Sequence, residues 1–155
     1  MEKVTIDDCD RRMGPADVKR PLTDALGATG LALNYYELGP GDSLGFGYHR
    51  HGDQEEVFYV ESGVVTFETE DGDVPVEAGE VVRFDPGEWQ LGTNEADERA
   101  VVLAMGAPKE SGELTMVRHC TDCDERTEQA ISLTDGRDAV VTTCVDCDAE
   151  TGRFT

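Results

Sequence analysis

Two of the chain's three histidines, His49 and His51, stand two residues apart at the end of a strand-like run, Gly47-Tyr48-His49-Arg50-His51. The two-residue period of a strand sends both rings to one face, about 6–7 Å apart along the chain. Imidazoles so spaced can converge on one cation. After a short turn, Glu55-Glu56-Val57-Phe58-Tyr59-Val60 reads as the next antiparallel strand, which can bring a carboxylate opposite the rings. Alternation sends Glu55 and Glu56 to opposite faces, so only one of them can join the histidines.

A second constellation lies near the C-terminus. Cys120-Thr121-Asp122-Cys123 and Cys144-Val145-Asp146-Cys147 are separated by 20 residues. Two Cys-x-x-Cys pairs so placed are a strong zinc signature, and four thiolates make a closed tetrahedral site with no open position for catalysis. A redox reading lacks the βαβ context of a thioredoxin-like pair and leaves the second pair unexplained. His119 is a neighbour of a complete four-thiol set, and Cys9 stands alone among acids.

Short strand-like runs must position these groups. From residue 31 onward the runs 31–38, 44–51, 55–61, 64–69, 74–77, 81–84, 89–93 and 99–106 are separated by Gly, Asp and Pro turn clusters, with no helical periodicity. That pattern predicts an all-β sandwich or jelly-roll barrel. The polar, turn-rich stretch 108–115 reads as a linker, and residues 127–133 and 139–143 as two strands between the cysteine pairs. The expected organisation is an N-terminal arm (1–28), a barrel (29–107), the linker, a small cysteine module (116–151) and a tail (152–155). The module resembles a zinc ribbon. At some 35 residues it is too small for a core of its own and would draw most of its stability from the metal.

Thirty-four acids against three lysines and ten arginines give a formal charge of −21. At molar salt the Debye length is about 3 Å, so such self-repulsion largely vanishes. The composition fits a halophilic, high-salt cytoplasm, where net charge maintains solubility. From Leu114 onward there are four arginines, no lysine and nine acids, which opposes nucleic-acid binding. No run approaches the roughly 18 apolar residues of a membrane span. Five cysteines in a reducing compartment argue for metal-held thiols rather than disulfides.

The stretch from about residue 31 to 107 resembles the cupins, small β-barrels with a metal in the barrel mouth. His49, His51, Glu56 and Gly63 fit the family's first motif, and the Gly63 register selects Glu56 over Glu55. Ser43 stands where that motif opens with Gly. Gly79, Gly87 and Asn94 fit the second motif, with Asp85 in place of its Pro and Gln90 in place of its last histidine. The resemblance implies a divalent metal (Fe, Mn, Zn or Ni) held by His49, His51, Glu56 and Gln90, while Cys120, Cys123, Cys144 and Cys147 hold structural zinc. Two imidazoles and one carboxylate can form a facial triad with open positions.

Tyr36, Phe46, Phe58, Phe67 and Trp89 are candidates for an apolar pocket beside that metal. No serine or cysteine nucleophile signature and no phosphate loop is present, so chemistry would rest on the metal, with a carboxylate or tyrosine as general base. The expectation is a metal-binding barrel acting on or binding a small organic molecule, as a mononuclear oxygenase or isomerase. The alternative is a non-catalytic sensor whose ribbon docks a protein partner. The resemblance also implies a homodimer.

Overall fold

A computed structural model describes residues 1–155. Thirteen strands and a single short 3-10 turn (Ile6–Asp8) form two sheets that face each other across one core. The smaller sheet holds β1 (Val18–Pro21), β2 (Ala32–Leu38), β9 (Ala100–Ala107), β4 (Glu55–Ser62) and β7 (Val81–Phe84), in that order. The larger runs from β6 (Gly72–Glu77) through β5 (Val64–Thr69), β8 (Gln90–Thr93) and β3 (Tyr48–His51) into the C-terminal strands β10 (Leu114–Cys120), β11 (Glu125–Leu133), β12 (Val140–Cys144) and β13 (Glu150–Phe154). Every pairing is antiparallel.

Alternation explains the core. Glu56, Phe58 and Val60 of β4 share one face, and Val65 and Phe67 of β5 oppose them, with Val60, Val65 and Phe67 fully buried. Phe58 meets Phe67 and Phe84 at ring-centroid distances of 5.1 and 6.0 Å, filling the space beneath the barrel mouth. Asn94 is fully buried and satisfied: its amide donates to the carbonyls of Leu38 and Glu98 and accepts from the Ala96 N–H. Gly63 turns β4 into β5 at φ +75°, and a Cβ there would lie 2.7 Å from the Arg99 carbonyl oxygen.

The cysteine-bearing tail continues the barrel's own sheet. β10 pairs with β3 in the register Leu114↔His51, Thr115↔Arg50, Met116↔His49 and Val117↔Tyr48. On its other side β3 meets β8 through a single pair, His49↔Gln90. The strand is therefore held mainly by the tail. Gly47 permits the close approach: a Cβ there would lie 2.8 Å from the Val117 carbonyl oxygen and from Cγ of Arg118. Arg118 in turn hydrogen-bonds the carbonyl of Phe46.

The structure departs from the sequence expectation at several edges. The run 44–51 is strand only from Tyr48, because Gly45 and Gly47 bend the approach. The N-terminal arm contributes an edge strand, β1, paired with β2. Pairing of β10 begins at Leu114, inside the stretch read as linker, and β13 occupies most of what was read as tail. No helix is long and apolar enough to cross a membrane.

Candidate metal centre

β3 and β4 bring His49, His51 and Glu56 together with their ligand atoms within 4.8 Å of one another. Glu56 Oε2 lies 3.8 Å from His49 Nε2 and 3.4 Å from His51 Nε2, and the two imidazole rings stand at 85° with centroids 5.2 Å apart. Nδ1 of His49 is 2.8 Å from the Gly47 carbonyl oxygen. A carbonyl can only accept, so Nδ1 carries the proton and Nε2 presents its lone pair inward, the form a metal requires. Glu55 faces outward and pairs with Arg83 at 2.7 Å, which leaves Glu56 as the inward carboxylate.

Gln90 completes the cluster from β8. It is 2 % exposed, and its Nε2 lies 2.8 Å from Glu56 Oε2 and 3.0 Å from His49 Nε2. Its Oε1 is buried without a partner, as is Nδ1 of His51. A half-turn of the amide would exchange its two terminal atoms and offer a carbonyl oxygen to the histidines' common focus. An orphaned acceptor, two imidazoles and a carboxylate fit a divalent cation, whose ligands at about 2.1 Å would stand roughly 3–4 Å apart.

The electrostatics favour the metal-ready protonation states. Burial, reinforced by the charges of His51 and Lys19, pulls the His49 pKa below its ordinary 6.5, against the upward pulls of Glu56 and the Gly47 carbonyl. Burial works to raise the Glu56 pKa, but the hydrogen bond and charge of His51, the charge of His49 and the Gln90 hydrogen bond together bring it below 4.5. The two shifts favour the neutral form of the His49 imidazole and the ionised form of the Glu56 carboxylate.

Above it opens a cavity of about 340 Å³. Of the aromatics expected there, Tyr36, Phe46 and Phe58 line it. Phe67 lies deeper, fully buried in the core. Trp89 is elsewhere too: it stacks on Tyr48 with ring centroids 5.2 Å apart, and Arg50 lies 5.0 Å from its ring. Sequence reasoning missed two contributors to the walls. The tail supplies Leu114, Met116 and Ile131, and Lys19 of β1 and Lys109 after β9 also line it. Two of only three lysines in so acidic a chain face this cavity, and that scarcity was the available signal.

The four C-terminal cysteines also converge, all sulfurs lying within 4.8 Å of one another. Sγ–Sγ distances are 3.5 Å for Cys120–Cys147 and 3.9 Å for Cys123–Cys144. A tetrahedral zinc with bonds of about 2.3 Å separates its sulfurs by roughly 3.8 Å, whereas a disulfide closes them to about 2.05 Å. The two turns are alike: the residue after each pair, Asp124 (φ 57°) and Asp148 (φ 61°), is left-handed. The Thr127 hydroxyl, 3.0 Å from Cys144 Sγ, accepts from Gln129 and so directs its proton at the sulfur. That bond, with the N–H groups of Cys147 and Asp146, lowers the Cys144 pKa to about 6, while hydrogen bonding with the neighbouring thiol of Cys147 pushes Cys123 up.

Residues 34–106 match the family model described as Cupin domain. No curated protein matches the chain in sequence. Among solved structures, a sugar phosphate isomerase from a cupin superfamily of Silicibacter pomeroyi aligns at TM-score 0.64 and 22 % identity, over 99 % of this chain and 91 % of its own. A predicted oxalate decarboxylase from Thermotoga maritima aligns at 0.59 and 22 %, over 68 % of this chain and 98 % of its own. An oxalate oxidase in complex with glycolate aligns at 0.57 and 14 %, over 74 % of this chain and 62 % of its own. A double sheet closed around a core, two histidines and a glutamate at its mouth, and the family match lead to one conclusion: residues 34–106 form a single cupin domain.

Proposed function

We propose that the barrel holds a divalent metal at His49, His51, Glu56 and Gln90, and that it acts on a small organic molecule in the cavity above. The observation that carries the reading is the shared focus of His49 Nε2, His51 Nε2 and Glu56 Oε2, with a buried amide whose Oε1 has no partner. A bound cation would polarise an oxygen of the ligand as a Lewis acid. The chain's own residues orient and protect: the Gly47 carbonyl fixes the His49 tautomer, and Phe46, Phe58 and Met116 keep the walls apolar. Glu56 is the only carboxylate lining the cavity and Lys109 is paired with Asp24, so once Glu56 serves the metal the side chains left for proton transfer are the Tyr36 hydroxyl and the Lys19 amine. Isomerisation is favoured over oxygen chemistry by the Silicibacter pomeroyi protein, named an isomerase, whose likeness extends through the tail as well as the barrel.

The cysteine module is read as a zinc ribbon with a structural metal, its support being the sulfur spacing and the paired left-handed turns. Elemental analysis of protein purified anaerobically in high salt tests both sites. Two metals per chain are expected, falling to one in the His49→Ala/His51→Ala protein. Equal metal content in the two proteins would overturn the barrel reading.

A further inference from the structure

The cavity's charge is at odds with that of the molecule around it. The chain carries 34 acids, yet Glu56 is the only carboxylate lining the cavity, while two of three lysines face it. Lys109 is already engaged, its Nζ lying 2.9 Å from Asp24 Oδ1 at the rim. Lys19 is not. It makes no ion pair or side-chain hydrogen bond, and its ammonium sits 5.5 Å from the centroid of the Tyr36 ring.

Register explains why it points inward. Lys19 is paired directly with Tyr36 across β1 and β2, so the two share a face, and Tyr36 lines the cavity. A lysine on an edge strand is often a guard against sheet-to-sheet pairing, with its charge in solvent. This one is turned to the cavity instead. Asn34, on the same face two residues before Tyr36, also lines the cavity and its amide makes no hydrogen bond within the protein. An unpaired ammonium and a free amide stand together on one wall.

We infer that Lys19 is the specificity-determining residue of this site, gripping the anionic end of the ligand while the His49/His51/Glu56 cluster receives its oxygen-bearing end. The inference rests on the cavity being the ligand site. The ligand class is a small hydroxylated or carbonyl-bearing anion, its charge supplied by a phosphate or a carboxylate. In a molecule of formal charge −21, a local cation also counters the repulsion such a ligand meets on approach.

The test uses the full-length, metal-loaded protein at fixed ionic strength. Binding of ribose 5-phosphate is compared with ribose, and glycolate with ethylene glycol, by calorimetric titration. Lys19→Met keeps the aliphatic stem and removes the charge. Lys19→Arg restores a cation, and Lys3→Met makes the same charge change away from the cavity. At least one anion should bind tenfold or more tightly than its uncharged counterpart, an advantage lost in Lys19→Met, regained in part in Lys19→Arg and kept in Lys3→Met. The phosphate and carboxylate arms identify the group recognised. Absence of any anion preference, or a preference unaltered in Lys19→Met, overturns the inference. Metal content measured on the same samples separates this outcome from failure of the metal reading.

Discussion

Serine substitution of Cys120 and Cys144 should weaken metal binding in the barrel, although neither residue is near the histidines in sequence. The double variant loses two of four thiolates, and with them the zinc that we propose orders β10–β13. β3 then keeps the single pair His49↔Gln90 in place of that pair and four more with β10. Each lost ladder hydrogen bond is worth about 0.5–1.5 kcal/mol, so four register pairs amount to roughly 2–6 kcal/mol. Met116, 3 % exposed opposite His49, loses burial worth about 1.5–3 kcal/mol. Together these are a large share of the 5–15 kcal/mol (about) by which a domain is stable, so β3 should fray while the other barrel strands persist. Loss of ligand orientation of this kind lowers metal affinity by about 10–100-fold. Competitive titration with a chromophoric chelator measures that affinity, and hydrogen exchange measures protection of Tyr48–His51. Unchanged barrel affinity in a variant that has lost its zinc and its tail protection would refute the coupling.

Gln90→His replaces the neutral amide with a third imidazole and should raise metal affinity at least tenfold in the same titration; equal affinity would mean that position 90 does not reach the metal. Gly47→Ala forces a Cβ to 2.8 Å from the Val117 carbonyl oxygen, and thermal unfolding should show a loss of about 1–3 kcal/mol. The buried His49 has its pKa depressed below 6.5 and Glu56 below 4.5. Between each depressed value and the unfolded one the unfolded chain binds more protons, so stability is full above pH 6.5 and falls as pH drops, first through His49 and then through Glu56. Urea unfolding from pH 8 to 4 in about 2 M potassium chloride, where the net-charge repulsion is screened, checks this, and stability rising on acidification there would contradict it. Finally, the −21 charge predicts a melting temperature that climbs steeply between 0.1 and about 2 M potassium chloride as repulsion is screened.

The convergence of His49, His51 and Glu56 was legible because its signal is local. His49 and His51 need only strand alternation to share a face, and a glycine register distinguishes Glu56 from Glu55. The cysteine pairs announce themselves by spacing for the same reason. What stayed hidden is non-local or masked by composition. Val18-Lys19-Arg20-Pro21 and Glu150-Thr151-Gly152-Arg153-Phe154 carry too few apolar residues to read as strands, yet both pair along their length. Their hydrogen bonds come from partners that the local pattern cannot name. The pairing of β10 with β3 is likewise invisible, since turn formers around residue 112 suggest a break where the chain re-enters the sheet. Phe67 and Trp89 show the limit of alternation: it gives the side of a sheet, whereas depth beneath a cavity depends on the opposing sheet.

Trp89 is the chain's one tryptophan, and its neighbours make it informative. Its indole stacks against Tyr48, the first residue of β3, and contacts Arg50, the residue between the two histidines. Any displacement of that strand changes the packing and polarity felt by a single chromophore. The protein therefore contains its own optical gauge, one emission signal free of background from other indoles, placed on the reverse side of the strand that presents both imidazoles. Loading the barrel, stripping the thiolates or raising the salt can each be followed in real time on unlabelled material.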